Sequence, residues 1–237
     1  MALPKLNTPS YELEIPSTDE KIMYRPFLVK EEKILLIALE SAKNEEIIRA
    51  MKEIVSECTF NKLDISNLPM FDIEYIFLNI RAKSVGEVSK LKIKCPDDGK
   101  TLAPVEIDLN KVNVEIGEGH TNKIELEEGT GIIMQYPTID SFSKLGLTNI
   151  TARNMTDIVA ACILQIYEKN GEKVYNAKDQ TIKELSDFVE QMNTAQFKKV
   201  QNFFDTMPKL KHKIKVKNPK TKVESEVTLQ GLSDFFG

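Results

Sequence analysis

The sequence predicts an α+β fold, a core of five or six helices with two β-hairpins packed at one side or end. Apolar residues recur at helical spacing between residues 31 and 85 and again between 155 and 207. Around residues 91–109 and 209–229 the period drops to two, and a proline-containing turn splits each alternating stretch. With 237 residues, 41% apolar and 29% charged, the chain can bury a core and is far from the composition of a disordered one. A single α+β unit over 1–237 is expected, with halves 1–110 and 130–237 joined by an acidic, glycine-rich segment as the other division.

The N-terminal thirty residues read as extended. Pro4, Pro9, Pro16 and Pro26 interrupt any helix, and Tyr11 to Ile15 alternates as a strand does. A helix is predicted after Pro26, with Glu31 and Glu32 favouring its dipole and Ile34, Leu35, Ala38 and Leu39 as its stripe. Asn44 is the expected N-cap of a second helix, whose face carries Ile47, Ile48, Met51, Ile54, Val55 and Cys58. Residues 72–85 are apolar around most of a helical circumference, which places that helix centrally, and Gly86 can end it. Leu91, Ile93 and Cys95 then alternate with lysines, turn through Pro96-Asp97-Asp98-Gly99, and return along Val105 to Leu109.

Residues 110–153 carry the weakest pattern. Five acidic residues between Glu115 and Glu128 are interrupted by Gly117 and Gly119, and Ile132 to Tyr136 reads as a strand. Three helical faces follow: Met155, Ile158, Val159, Cys162, Ile163 and Ile166; then Ile182, Leu185, Phe188, Val189 and Met192; then Phe197, Val200, Phe203, Phe204 and Met207 behind a Thr194 cap. Pro208 ends the last. Leu210, His212, Ile214 and Val216 form a strand with intervening lysines, and Asn218-Pro219-Lys220 turns it back along Val223 to Leu229.

Several function classes lose support. The formal charge is −4, from 32 basic and 36 acidic side chains, which argues against a generic nucleic-acid binder. The longest apolar run, Ile34 to Leu39, is far short of a membrane span, and the first twenty residues have no signal-peptide core, so a cytosolic product is expected. Three dispersed cysteines make no disulfide framework, and Cys58 and Cys162 fall on apolar helical faces. The sequons Asn149-Ile150-Thr151 and Asn154-Met155-Thr156 are read as chance matches. Gly99-Lys100-Thr101 lacks the earlier glycine of a P-loop, since position 94 is lysine, and Gly117-Glu118-Gly119-His120 lacks the later glycine of a dinucleotide fingerprint. With no nucleophile elbow and no histidine near a serine or cysteine motif, no catalytic residues and no cofactor are assigned.

The two hairpins parallel each other. Ile93-Lys94, a turn, Lys100-Thr101 and Glu106 to Leu109 match Ile214-Lys215, a turn, Lys220-Thr221 and Glu226 to Leu229, with turns one residue different in length. They are either an internal repeat or two unrelated amphipathic hairpins. A zinc ribbon places a Cys-x-x-Cys knuckle on each of two hairpins; here Asp98 stands where the second cysteine of the Cys95 knuckle would be, and the other turn has no sulfur. The pair therefore resembles a degenerate, metal-free zinc ribbon, and no metal ligand is assigned. Lys209, Lys211, Lys213, Lys215 and Lys217 form a stripe that suits an exposed edge or a partner surface. These lysines, with Leu91, Ile93 and Cys95 of the first hairpin, are the candidate partner-binding residues. A zinc- or nucleic-acid-binding regulatory module built on the two hairpins is the alternative reading.

Met23-Tyr24-Arg25-Pro26-Phe27-Leu28-Val29-Lys30-Glu31-Glu32, the apolar segment Phe71 to Ser84 with Val85-Gly86-Glu87, and Leu91-Lys92-Ile93-Lys94-Cys95-Pro96 come in an order that resembles the baseplate hub and hub-assembly proteins of T-even-type contractile-tailed phages. The resemblance spans the chain in element order, with its specific residues between about 23 and 109. It implies a non-enzymatic role in building the tail baseplate hub, as chaperone or component. Other hub proteins are the implied partners, with no membrane or nucleic acid. Assembly in the host cytoplasm and a place in the virion baseplate follow from the same resemblance.

Overall fold

The computed structural model describes residues 6–41, 43–139, 141 and 155–236. Among these, helices and small antiparallel sheets are mixed along the chain, an α+β architecture. They divide into two compact units, one within residues 1–65, 71–115 and 209–237, the other within 66–70 and 116–208. The C-terminal hairpin is grouped with the N-terminal segments rather than with its neighbours in sequence.

In the first unit, β1 (Tyr11–Glu14) and β2 (Lys21–Tyr24) form a hairpin with Tyr11 opposite Tyr24. Three helices follow, α1 (Val29–Ser41), α2 (Asn44–Cys58) and α3 (Met70–Val85). α3 buries Phe71, Ile73, Ile76, Phe77, Leu78, Ile80 and Ala82, as its all-round apolar pattern requires. Gly86 ends it at φ 133°, where a side chain would be strained. Asp72 is fully buried on α3, and the Ser17 N–H (3.1 Å) and hydroxyl both donate to its carboxylate. The cap of α2 lies one residue earlier than expected: Lys43 is the last extended residue, and its N–H bonds the Ser41 hydroxyl at 3.2 Å.

A buried ion pair joins the extended start to the helices. The Arg25 N–H donates to Cys58 O at the end of α2 (2.9 Å), and its guanidinium donates to Glu31 Oε1 (2.9 Å) and Pro26 O (3.0 Å). Glu31 Oε2 accepts the Leu28 N–H at 2.8 Å, satisfying a donor at the start of α1. Burial pushes the Glu31 carboxyl up, but the Arg25 guanidinium, the Leu28 N–H and the Lys30 ammonium outweigh it and hold the group below its ordinary range.

The rest of this unit is hairpin. β3 (Val88–Lys94) pairs with β4 (Leu102–Asp108), and β10 (Lys209–Lys217) pairs with β11 (Glu224–Gln230). A short β5 (Asn113–Glu115) adds to the other side of β10, opposite Lys209, Leu210 and Lys211. The lysine strand is therefore not a free edge at those positions, a correction that its own alternation could not reveal. A short helix, α7 (Gly231–Phe236), follows β11, and its six residues are too few to show a helical period in the sequence. It buries Phe235, whose carbonyl accepts the Ser89 hydroxyl at 2.8 Å.

The second unit is a meander of β6 (Lys123–Glu127), β7 (Thr130–Met134), β8 (Ile163–Glu168) and β9 (Lys173–Asn176), with α4 (Met155–Ala161), α5 (Ile182–Glu190) and α6 (Thr194–Thr206). Its core gathers Ile124, Ile132, Met134, Val159, Cys162, Ile163, Leu185, Val189, Val200 and Phe203. The face Met155 to Ile166 was expected to be one helix; the helix stops at Ala161, and Ile163 to Glu168 is strand. Ile163 and Ile166 fit both periods, and cross-strand partners on β7 decide for the pleat. The acidic, glycine-rich stretch holds the β6–β7 hairpin, turning at Gly129 (φ 76°). Asn193, not Thr194, caps α6: its Oδ1 accepts the Ala195 and Gln196 N–H groups at 2.9 and 3.0 Å, and Gln196 returns to its N–H. The residues Asn149-Ile150-Thr151 and Asn154 of the two sequons lie outside the described residues.

Replacing Arg25 with alanine leaves the buried Glu31 carboxylate to the exposed Lys30 ammonium (3.2 Å) and the Leu28 N–H alone, so the urea midpoint should fall by the equivalent of up to about 3 kcal/mol. The double replacement Arg25→Met with Glu31→Leu should cost less than Arg25→Ala alone.

Candidate functional site

The tips of the two long hairpins are built alike. The Cys95 N–H bonds Thr101 O (2.8 Å) and the Gly99 N–H bonds Cys95 O (2.9 Å); the Asn218 N–H bonds Val223 O and the Lys222 N–H bonds Asn218 O, both at 2.9 Å. Cys95 and Asn218 thus hold equivalent positions at the ends of β3 and β10. Each turn is shaped by a side-chain oxygen. Asp98 accepts the Lys100 and Thr101 N–H groups, both at 2.9 Å, and Asn218 Oδ1 accepts those of Lys220 (2.8 Å) and Thr221 (3.2 Å).

Because the Asn218 oxygen is committed to two N–H donors, its nitrogen must point the other way. Nδ2 meets Asp97 Oδ1 (3.0 Å) and Oδ2 (3.1 Å) and Asp98 Oδ2 (3.1 Å), and the Thr221 hydroxyl also donates to Asp97. One fully buried amide therefore clasps two carboxylates of the other hairpin. The Thr101 hydroxyl and two backbone N–H groups hold the Asp98 carboxyl far below its usual range; Asn218 and Thr221 lower that of Asp97. Burial, then the charges of Asp97 and Asp98, push the Cys95 thiol up, away from the thiolate that binds metal or attacks. Under the clasp, Cys95, Ala103 and Val216 are buried together, with Ile93, Val105, Ile214 and Val227 around them. Among the described residues, no group of three or more His, Cys, Asp or Glu side chains is placed to hold a metal ion.

The residues singled out from sequence take different positions on this element. Cys95 is core, Ile93 packs against it, and Leu91 is half-buried on the same side of β3. Lys213, Lys215 and Lys217 are exposed, while Lys209 and Lys211 are half-buried beside β5. Register sets glutamates opposite the row: Lys213 lies 4.0 Å from Glu226 and Lys215 3.7 Å from Glu224. The surface is a ribbon of mixed charge, and such exposed pairs add little to stability.

A further surface lies on α1. Val29, Leu36, Ile37 and Leu39 are all more than half exposed, and the only buried side chains of this helix are Glu31 and Ala38. Of the expected stripe, Ala38 is buried, Ile34 and Leu35 are half-buried, and Leu39 faces solvent. The signal was present: six consecutive apolar residues wrap more of a helix than one packing face can cover.

His120 is satisfied. The Thr206 hydroxyl donates to Asn202 O (2.6 Å), so its oxygen receives the proton of His120 Nδ1 (2.9 Å) and leaves Nε2 to accept from the Tyr136 hydroxyl (3.0 Å). Burial lowers its pKa and favours this neutral form. No helix among the described residues is long and apolar enough to cross a membrane.

A family model described as T4 bacteriophage base plate protein matches residues 8–237, nearly the whole chain. The chain belongs to that family. No curated protein and no solved structure matches it. In this baseplate protein, whose role is structural, the clasp fixes the two long hairpins to each other and α1 exposes an apolar face.

Asn218→Asp keeps the shape of the clasp but removes its N–H donors and sets a third carboxylate against Asp97 and Asp98, and thermal unfolding should show a loss of at least about 1–3 kcal/mol. Since the Asp97 and Asp98 pKa values are lowered by folding, their contribution is present above the unfolded carboxylate value and lost as pH falls through the folded ones. Melting temperature should therefore drop with acidification below about pH 4, and this drop should shrink in Asp97→Asn.

Proposed function

We propose that this baseplate protein serves the central hub, as an assembly chaperone or a retained component, and that it works by docking and not by catalysis. The observation that carries the reading is α1. A helix that exposes Val29, Leu36, Ile37 and Leu39 while burying a glutamate presents the kind of apolar patch that marks a protein–protein contact. Glu32, Lys33 and Glu40, all exposed, give that patch a polar rim, the anatomy of an interface. The hairpins supply a second, charged surface through Lys213, Lys215 and Lys217. Two features support reading them as a zinc ribbon that does without its metal: Cys95 and Asn218 occupy matching turn positions, and the Asn218 amide lies between the tips, where a ribbon holds its ion.

A zinc- or nucleic-acid-binding role for the same hairpins has less behind it. Cys95 is the one cysteine in either hairpin, its thiol is pushed up, and glutamates face the lysine row.

Co-expression with tagged hub subunits should recover this protein in a stable complex that Leu36→Lys or Ile37→Lys abolishes. Both positions are exposed, so their substitution should leave stability within about 0.5 kcal/mol. Failure of the unmodified chain to join any hub complex overturns the proposal. Mass spectrometry of purified particles then separates a component, which stays, from a chaperone, which does not.

A further inference from the structure

The four-stranded sheet of the second unit leaves β6 at its edge, and α6 runs beside that edge. Between them is an open cleft of about 510 Å³, floored by Ile124 and Phe203 and lined by Lys123, Lys198 and Lys199 against Glu125. A sheet edge next to a helix is an arrangement in which an extended peptide can add as a further strand.

Register determines which backbone groups are on offer. Asn122 O accepts the Met134 N–H at 2.8 Å and Ile124 stands opposite Ile132, so residues 122 and 124 turn their backbone groups toward β7. Lys123 and Glu125 turn theirs outward. Side chains occupy two of these groups: the Lys123 N–H donates to Thr121 Oγ1 (3.2 Å), and Lys199 Nζ donates to Glu125 O (2.7 Å) and to Leu126 O (3.4 Å). This blunts an edge against unwanted pairing. Lys123 and Lys199 are exposed, so the arrangement can be exchanged without burying an unsatisfied group.

We propose that this edge receives an extended acidic segment of a partner protein, which bonds the outward groups of Lys123 and Glu125 and sets its carboxylates against Lys198 and Lys199. Charge selects the occupant: Lys198 and Lys199 line the cleft, while the Lys123 ammonium lies 5.1 Å over the Tyr167 ring, in a chain whose net charge is −4. On entry, Lys199 exchanges a carbonyl for a partner carboxylate, a stronger, charge-assisted bond. A nucleic-acid strand fits less well, because its backbone has no amide ladder for the edge and Phe203, 1% exposed, offers no ring face for stacking. The cleft lies in the unit that contains neither α1 nor the long hairpins, so the idea stands or falls apart from hub docking.

The test titrates the full chain against a short fluorescent peptide of alternating glutamate and valine, read by anisotropy. Saturable binding is expected, weakened about tenfold by Lys198→Glu and abolished by methylating alternate backbone nitrogens of the peptide. A lysine–valine peptide should not bind. The proposal is overturned by absence of binding, by equal binding of the methylated peptide, or by unchanged affinity in a Lys198→Glu variant that melts normally. Tighter binding of a single-stranded oligonucleotide of equal charge overturns it as well.

Discussion

A two-stranded ribbon has one inner face and too few neighbours to cover it, and alone it is marginal in water. The first unit meets that constraint by pairing ribbons. Cys95 and Ala103 of one cover Val216 of the other, and the tips are fixed by Asn218, whose oxygen shapes its own turn while its nitrogen holds two carboxylates across the gap. The amide fixes the two tips to each other with directional bonds. The positions of the lysine and glutamate rows on the outer faces depend on that clasp, because a ribbon free to slide would carry its charges with it.

The same unit inverts the usual logic of an amphipathic helix. α1 is fastened at its inner side by Glu31, whose carboxylate joins Arg25, Leu28 and, through Arg25, the end of α2. With a charge as anchor and Ala38 as the close contact, Val29, Leu36, Ile37 and Leu39 remain on the solvent side. Burying an ion pair is a weak source of stability but a strong source of position, since neither partner tolerates the loss of the other. The ion pair thereby fixes which side of α1 its exposed apolar residues occupy.

What the sequence disclosed follows from pattern length. α2, α3, α5, α6 and both long hairpins carry enough periods to be read directly. The strands β5 to β9 run three to six residues, and Ile163 and Ile166 satisfy helix and strand spacing alike, so only their partners decide. Caps at Lys43 and Asn193 shift by one residue because several polar candidates stand in a row there. The site was partly legible. Asn218 could be seen as a turn residue but not as a donor to Asp97 and Asp98, a contact across 121 and 120 positions. The lysines were plain, whereas the glutamates opposite them required the register of β10 with β11.

The order in which segments enter the first unit also has a consequence during synthesis. Everything within 66–70 and 116–208 has been translated before β10 and β11 exist, so the second unit can close on the ribosome while the first waits. Until those strands emerge, the nascent β3–β4 ribbon lacks the cover that Val216 and Ile214 bring, and Asp97 lacks its amide. A premature stop codon shortly after residue 208 therefore spares one half of the molecule and strands the other, half-built, with its greasy side bare.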